Sequence, residues 1–244
     1  MEMTMKKYHK DIDAFGRKLK PFVATSAEQV LLTEFSSRRR HMDAGEELVS
    51  SEQPPRFAYI LHEGWASAYR EMSNGTRQIF DFRLPGDFLG LLSLVMHRLD
   101  YNVVALTEVV VSEVGMDKLI STFRQSPLLS EAVLWSLSRD AAIIAEHLIN
   151  IGRRGAMERI VHLLIEIGYR LNQVGQSPQD SYECPLTQKD LAEALGITHV
   201  HLNRMLRQLR NDGLLSFNDH MVTLHDLPTL MRIAEFEPNY LQTR

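Results

Sequence analysis

Cysteine is almost missing. Cys184 stands alone among 244 residues, which excludes an intrachain disulfide and any metal or iron-sulfur site built from the cysteines of one chain. A basic excess is missing too: 27 Lys and Arg face 31 Asp and Glu, for a formal net charge of −4, so any nucleic-acid surface has to be a local patch. No run approaches the roughly 18 consecutive apolar residues of a membrane span, and Met1 to Lys20 is charged without the apolar centre of a signal peptide. A cytoplasmic protein that does not touch a membrane is expected. Internal repeats and low-complexity tracts are absent, and the densest charge cluster, Arg38-Arg39-Arg40, reads as a solvated strand end. No nucleophile motif occurs, nor a His-x-His set with a downstream Glu and His, and His199 and His201, about 200° apart on a helix, would not share a metal. No catalytic or metal site is expected, and Cys184, with no basic cluster beside it, reads by default as an unreactive thiol, the alternative being a redox switch.

What is present is an ordinary globular composition, 44% hydrophobic and 24% charged, with apolar material for cores in both halves. From about Ser37 to Met116 the chain reads as an all-β block, punctuated by Gly45, Gly64, Gly75 and Gly86. Phe57, Tyr59 and Leu61 alternate with Ala58 and Ile60, and Phe80, Phe82 and Leu84 with Asp81 and Arg83, the period of half-buried strands. Ser73-Asn74-Gly75 has turn chemistry, and the β-branched run Val103 to Val114 closes the block as one or two buried strands. A roll or jelly-roll is the natural packing.

After Pro127 the period becomes helical. Leu134, Leu137, Ala141, Ile144, Leu148 and Ile151 recur at steps of three and four, a heptad seam whose simplest partner is the same helix of a second subunit. The other cover available to it is the chain's own β-block. Gly152 ends this helix, and a second follows from about Ala156 to Val174 with Ile160, Leu163, Leu164, Ile167 and Leu171 on one face. A polar loop with Gly175, Ser177 and Pro178 comes next.

The segment Leu186 to Leu224 carries the most information. Thr187 with Asp190 three residues on has the spacing of a capping box, Leu191 and Leu195 form an apolar edge, and Gly196 breaks the helix. Thr198 caps the next one, from His199 to about Asn211. Leu202, Met205, Leu206 and Leu209 share its packed face, and Val200, Asn203, Arg204 and Arg207 share the opposite face. Asn and Arg match adenine and guanine edges in the major groove, while Arg207, Arg210 and Lys189 lie nearer the phosphates. Leu214 to Phe217, the turn Asn218-Asp219-His220, and Met221 to Leu224 make a hairpin where a wing belongs. The expected fold class is therefore α+β: an N-terminal antiparallel, jelly-roll-like β-roll, a long dimerisation helix and a C-terminal winged helix-turn-helix. Expected DNA contacts are Thr187, Gln188, Lys189, Thr198, His199, Val200, His201, Asn203, Arg204 and Arg207. The rival function is a ligand-binding adaptor whose winged helix docks a protein partner.

In this order the parts resemble the Crp/Fnr family of bacterial regulators over nearly the whole chain. Leu84-Pro85-Gly86-Asp87-Phe88-Leu89-Gly90 is similar to that family's turn into its effector cassette, and Leu186-Thr187-Gln188-Lys189-Asp190-Leu191-Ala192 with Gly196-Ile197-Thr198 to its DNA-binding signature. The resemblance implies a sensor domain at 1–126, a dimerisation helix at 127–151 and a DNA-binding domain at 152–244. It also implies a homodimer on a two-fold symmetric site of double-stranded DNA that recruits or blocks RNA polymerase. Members that bind cyclic AMP carry a glutamate after the cassette glycine and an Arg-Ser pair for the phosphate; here Leu91 and Tyr101-Asn102 stand in those places, so an anionic phosphate would meet no cation. Ile144-Ala145 replace the hydroxyl residues that cap adenine. In the candidate effector pocket, Leu91, Leu92, Ser93, Tyr101, Asn102 and Ile144, the residues Leu91, Leu92, Tyr101 and Ile144 read as apolar, which suits either a hydrophobic ligand or a filled, constitutively active core, and cyclic AMP is not expected to bind in the usual way. The missing N-terminal cysteines exclude the iron-sulfur cluster of the oxygen sensors, and His62 and His97 are minor candidates for haem. Val200 stands where the best-known members have a glutamate, so the operator is expected to differ from theirs.

Overall fold

The computed structural model describes residues 13–52, 56–96 and 100–242; His97 lies outside them. Two short helices open the described chain. In α1 (Ala14–Leu19) Asp13 caps the first turn by accepting from the Gly16 N–H at 2.9 Å, and α2 (Ser26–Phe35) starts on a Thr25/Glu28 capping box. Eight strands follow: β1 (Arg39–Met42), β2 (Glu47–Val49), β3 (Ala58–Glu63), β4 (Ala66–Glu71), β5 (Arg77–Arg83), β6 (Phe88–Leu89), β7 (Asn102–Ala105) and β8 (Val109–Val114). They form two antiparallel sheets, ordered β1-β8-β3-β6 and β2-β7-β4-β5, around Leu48, Val49, Leu61, Leu89, Val103 and Val111. This is the expected β-roll, with one helix, α3 (Leu91–Met96), inside it.

Two sequence expectations change. β3 is buried on both faces, since Ala58 and Ile60 are as inaccessible as Leu61, and Phe57 lies exposed just before it. β5 is likewise buried beyond its apolar face: Asp81 and Arg83 are inside, because charged side chains from the helices described next reach them.

α4 (Met116–Gln125) leads into α5 (Pro127–Arg153), whose cap Ser126 and first-turn proline suit a helix start. α6 (Ala156–Gln173) buries the expected stripe from Ile160 to Leu171. Then come β9 (Ser181–Glu183), α7 (Gln188–Leu195), α8 (His199–Asn211), β10 (Leu215–Asn218), β11 (Met221–Leu224) and α9 (Leu227–Ala234). The last three strands make a sheet ordered β10-β11-β9. The largest core joins Trp65, Ile79, Phe82 and Leu84 of the roll to Ile143, Ile160, Leu164, Leu191 and Leu195; apolar packing is thus continuous across the borders expected near 126 and 151. Among the described residues no helix is long and apolar enough to cross a membrane.

A buried charge network fills the junction. The Asp87 carboxylate, in the turn before β6, accepts from Lys18 Nζ of α1 at 2.6 Å, from Arg170 Nη2 of α6 at 2.7 Å and from the Leu84 N–H at 2.9 Å, with Arg139 Nη1 of α5 at 3.6 Å. Arg170 also donates to Asp81 Oδ1 at 3.1 Å, to Glu166 Oε1 at 3.2 Å and to the Phe82 carbonyl at 2.8 Å. Arg83 pairs with Asp140 of α5 at 2.6 Å and Asp81 at 3.1 Å. His147 reaches Glu166 at 3.0 Å; burial alone would lower its pKa, but Glu166 beside it raises it to about 9. Each charge here is buried because an opposite charge on another element meets it, the condition under which buried ions persist.

Candidate nucleic-acid interface

The capping box read from Thr187 and Asp190 forms. Thr187 Oγ1 accepts from the Asp190 N–H at 3.2 Å, and Asp190 Oδ2 accepts from the Thr187 N–H at 2.9 Å. Gly196 ends α7 at φ +62°, a left-handed geometry that a glycine adopts without strain, and Thr198 Oγ1 accepts from the His201 N–H at 3.2 Å to start α8. Local chemistry therefore produces the helix, turn and helix. Both threonine hydroxyls, expected as DNA contacts, hold caps.

α8 divides as its period requires. Leu202 and Leu209 are fully buried, with Met205 and Leu206 packed beside them. Arg204 and Arg207 are exposed, Asn203 is half-buried, and Val200 is 80% exposed. The helix, HVHLNRMLRQLRN, contains no carboxylate, so its three arginines concentrate positive potential on a chain of negative net charge. Among the described residues, Arg204, Arg207 and Arg210 have no side-chain hydrogen bond or ion pair. Lys189, on α7, is exposed and lies 3.7 Å from Glu193.

The wing forms as well. β10 and β11 pair from Leu215↔Leu224 to Asn218↔Met221, leaving the two-residue loop Asp219-His220 at φ +49° and +58°, the pattern of a type I′ hairpin. Asn218, read as part of the turn, ends the strand instead. A cleft of about 210 Å³ runs between α7, α8 and the wing, bringing Gln188, Asn203 and Arg207 together with Arg210, Phe217 and Asn218. The wing residues were absent from the expected contacts because their approach depends on how the hairpin folds against α8, which no periodicity reports. β9, the third strand of that sheet, went unread for the same reason.

Cys184 is fully buried behind this surface, and burial pushes its thiol up to about 12, as fits an inert thiol. The candidate effector residues occupy different surroundings. Leu91 is buried with Phe15, Leu129 and Val133; Ser93 is buried and donates to the Gly90 carbonyl; Leu92 is exposed. Tyr101 stacks edge-on against Phe80 at 5.1 Å, the Asn102 side-chain oxygen accepts from the Ser51 N–H at 2.7 Å, and Ile144 is 42% exposed. The roll does contain a buried cation that sequence reading overlooked, Arg83, already engaged by Asp81 and Asp140. His62 is satisfied by Asp13 and the Ser112 hydroxyl, each at 2.8 Å. Among the described residues no group of three or more His, Cys, Asp or Glu could hold a metal ion.

Comparison with known proteins agrees with this architecture. Residues 39–126 match the cyclic nucleotide-binding domain and residues 158–233 the Crp-like helix-turn-helix domain. The chain is 27% identical over 206 residues to the nitrogen fixation regulation protein FixK of Bradyrhizobium diazoefficiens, covering 84% of this chain and 86% of that one. It is 24% identical to the fumarate and nitrate reduction regulatory protein of Vibrio cholerae, covering 88% and 85%. The solved structure of FixK2 from Bradyrhizobium japonicum superposes with a TM-score of 0.72 at 24% identity, over 80% of this chain and 96% of that one. β-roll, long helix and winged helix-turn-helix thus occur here in the order, and over the extent, found in these regulators, and the chain belongs to the Crp/Fnr family of DNA-binding transcription regulators.

Proposed function

We propose that the protein works in the cytoplasm as a homodimer joined along α5, placing the two α8 helices in successive major grooves of a two-fold symmetric operator, roughly 34 Å apart, and recruiting or blocking RNA polymerase there. Its working parts are a sensor domain at 1–126, the dimerisation helix at 127–151 and the DNA-binding domain at 152–244. The observation that carries the reading is the outer face of α8, free of carboxylates, whose Arg204, Arg207 and Arg210 make no side-chain hydrogen bond or ion pair among the described residues. Asn203 and Arg204 read base edges, Val200 offers apolar contact to a thymine methyl, and His199 and His201 add polar contacts at the helix start. Thr187, Gln188, Lys189, Thr198 and Arg207 border the phosphates. A reading as an adaptor whose winged helix docks a protein has less support, because the relatives are named as regulators.

Arg204→Ala is expected to cost about 1–3 kcal/mol and relax preference at one base pair, whereas Arg207→Ala weakens all sequences alike and lowers the salt slope by about one. Fluorescence anisotropy on duplexes selected from a random pool, over a salt series, measures both. Negligible effects of both substitutions would mean that α8 faces something other than DNA.

The sensor roll does not suit cyclic AMP in the usual way. A cyclic phosphate needs a cation free to meet it, and Arg83 already serves two carboxylates; a phosphate buried without partners is penalised by several kcal/mol. A calorimetric titration with cyclic AMP is expected to give no tight binding, and submicromolar affinity would overturn this reading.

A further inference from the structure

The glycine turn that ends the first helix of the helix-turn-helix satisfies one of its four last-turn carbonyls. Within α7 the Ala192 carbonyl is taken by the turn, accepting from Gly196 and Ile197, which leaves three last-turn carbonyls to be satisfied elsewhere. Gln78 Nε2, on β5 of the sensor roll, donates to the Glu193 carbonyl at 2.9 Å and lies 3.3 Å from the Ala194 carbonyl. Arg159 Nη1, on α6, donates to the Leu195 carbonyl at 3.2 Å. Beside Gln78, Arg77 grips the Glu193 carboxylate through Nε at 3.1 Å and Nη2 at 3.0 Å. The Arg77 guanidinium itself lies 4.9 Å above the Tyr69 ring. A bulge between Ala68 and Tyr69 shifts the β4–β5 register so that Tyr69 faces Ile79 and Glu71 faces Arg77; bulges re-aim side chains in this manner.

These bonds differ in kind from the contact beneath them. Ile79 packs in one core with Leu191 and Leu195, but apolar contact is non-directional and lets surfaces slide. Arg77, with two nitrogens on the single Glu193 oxygen Oε2, and the Gln78 bonds are directional, and they oppose rotation of α7 against the roll. Because α8 is joined to α7 by a tight turn, whatever orients α7 orients the reading helix. Arg159 is no substitute for them, since its side chain joins α7 to α6 through the Arg154 and Leu195 carbonyls, and α6 meets the roll separately through Arg170.

We propose that Arg77 and Gln78 are positioning residues for operator binding: by clasping α7 to the sensor roll they set the distance and rotation between the two α8 helices, and so the half-site spacing that the protein accepts. The inference rests on the two-fold reading above. Each base pair added between half-sites moves the second by about 3.4 Å and turns it by about 35°, and a dimer held rigidly cannot follow.

The test uses the full-length protein and a series of palindromic duplexes built from the selected half-site, with spacing changed by one and two base pairs, together with a duplex carrying a single half-site. Wild type is expected to lose about 10²-fold in affinity away from its preferred spacing, the gain from two-site engagement being geometric. In Arg77→Ala/Gln78→Ala that penalty shrinks to a few-fold while single-half-site affinity stays unchanged, which a general loss of folded protein would not produce. Arg77→Glu loosens spacing in the same way, and adding Glu193→Arg restores it. An unchanged spacing penalty in the double variant, or a parallel fall in single-half-site affinity, overturns the proposal while leaving the dimer intact. A wild type indifferent to spacing would overturn the two-fold reading itself, and this inference with it.

Discussion

Replacing Asp87 by alanine is expected to remove about 3–5 kcal/mol of folding stability at neutral pH, the typical consequence of deleting one partner from a buried ion pair. The carboxylate meets Lys18, Arg139 and Arg170, all buried, so its loss leaves cations from α1, α5 and α6 without the anion that brought them together. Asn at this position keeps an acceptor for the Leu84 N–H and loses the charge, and should fall between wild type and alanine. Chemical denaturation measures the series. A loss below about 1 kcal/mol for Asp87→Ala, the range of a surface pair, would mean that the three helices are held by apolar packing alone. Acid provides a second readout. Burial by itself would raise the Asp87 carboxyl, but Lys18, Arg170, Arg139 and Arg83 hold it far below the ordinary carboxylate range, and Glu166 is brought down to about 2, chiefly by His147 acting against burial. A depressed folded-state pKa adds stability above the unfolded value of about 4 that is lost as pH falls below it. Wild type should therefore lose stability steeply between about pH 5 and 2, and Asp87→Ala less steeply.

The same residues show where sequence reading stops. The helix-turn-helix was legible because its signals are local: Thr187 and Asp190 are three residues apart, Gly196 adopts its own φ, and the two faces of α8 follow from spacing. The roll was legible as strands, since β-branched runs and turn glycines report extension. Polarity, however, does not reveal where a partner will come from. Asp81 and Arg83 alternate with phenylalanines and so suggest a wet face, yet their partners, Asp140 and Arg170, lie 57 residues beyond Arg83 and 89 beyond Asp81. Arg77 and Gln78 were unremarkable for the same reason, their acceptors on α7 being more than 110 residues away. α1 and α3, at six residues each, are too short for a helical period to emerge.

The seam on α5 bears the other large expected effect. Leu134 is 64% and Leu148 71% exposed, with Ala141 and Ile144 open between them. Leu137 packs partly against the core of Phe15, Leu19, Leu129 and Val133, and Ile151 lines the junction with Ile79 and Leu163, so parts of the expected stripe are shared with the chain's own body. The central turns are not, and a row of exposed leucine and isoleucine on a 27-residue helix marks an association surface. In a parallel pairing each residue of such a row meets its counterpart across the axis. Ile144→Glu with Leu148→Glu would therefore set four carboxylates against one another at the centre of the proposed dimer. Both sites are exposed within the subunit, so circular dichroism and the unfolding transition of the isolated chain should change little, while sedimentation reports a monomer. Operator affinity should drop by about 10²–10⁴-fold, the avidity that joins two half-site contacts, with affinity for one half-site preserved. If the double variant sediments as a dimer, the seam is not the interface. If it becomes a monomer with undiminished operator affinity, one α8 suffices, and the symmetric arrangement has no part in recognition.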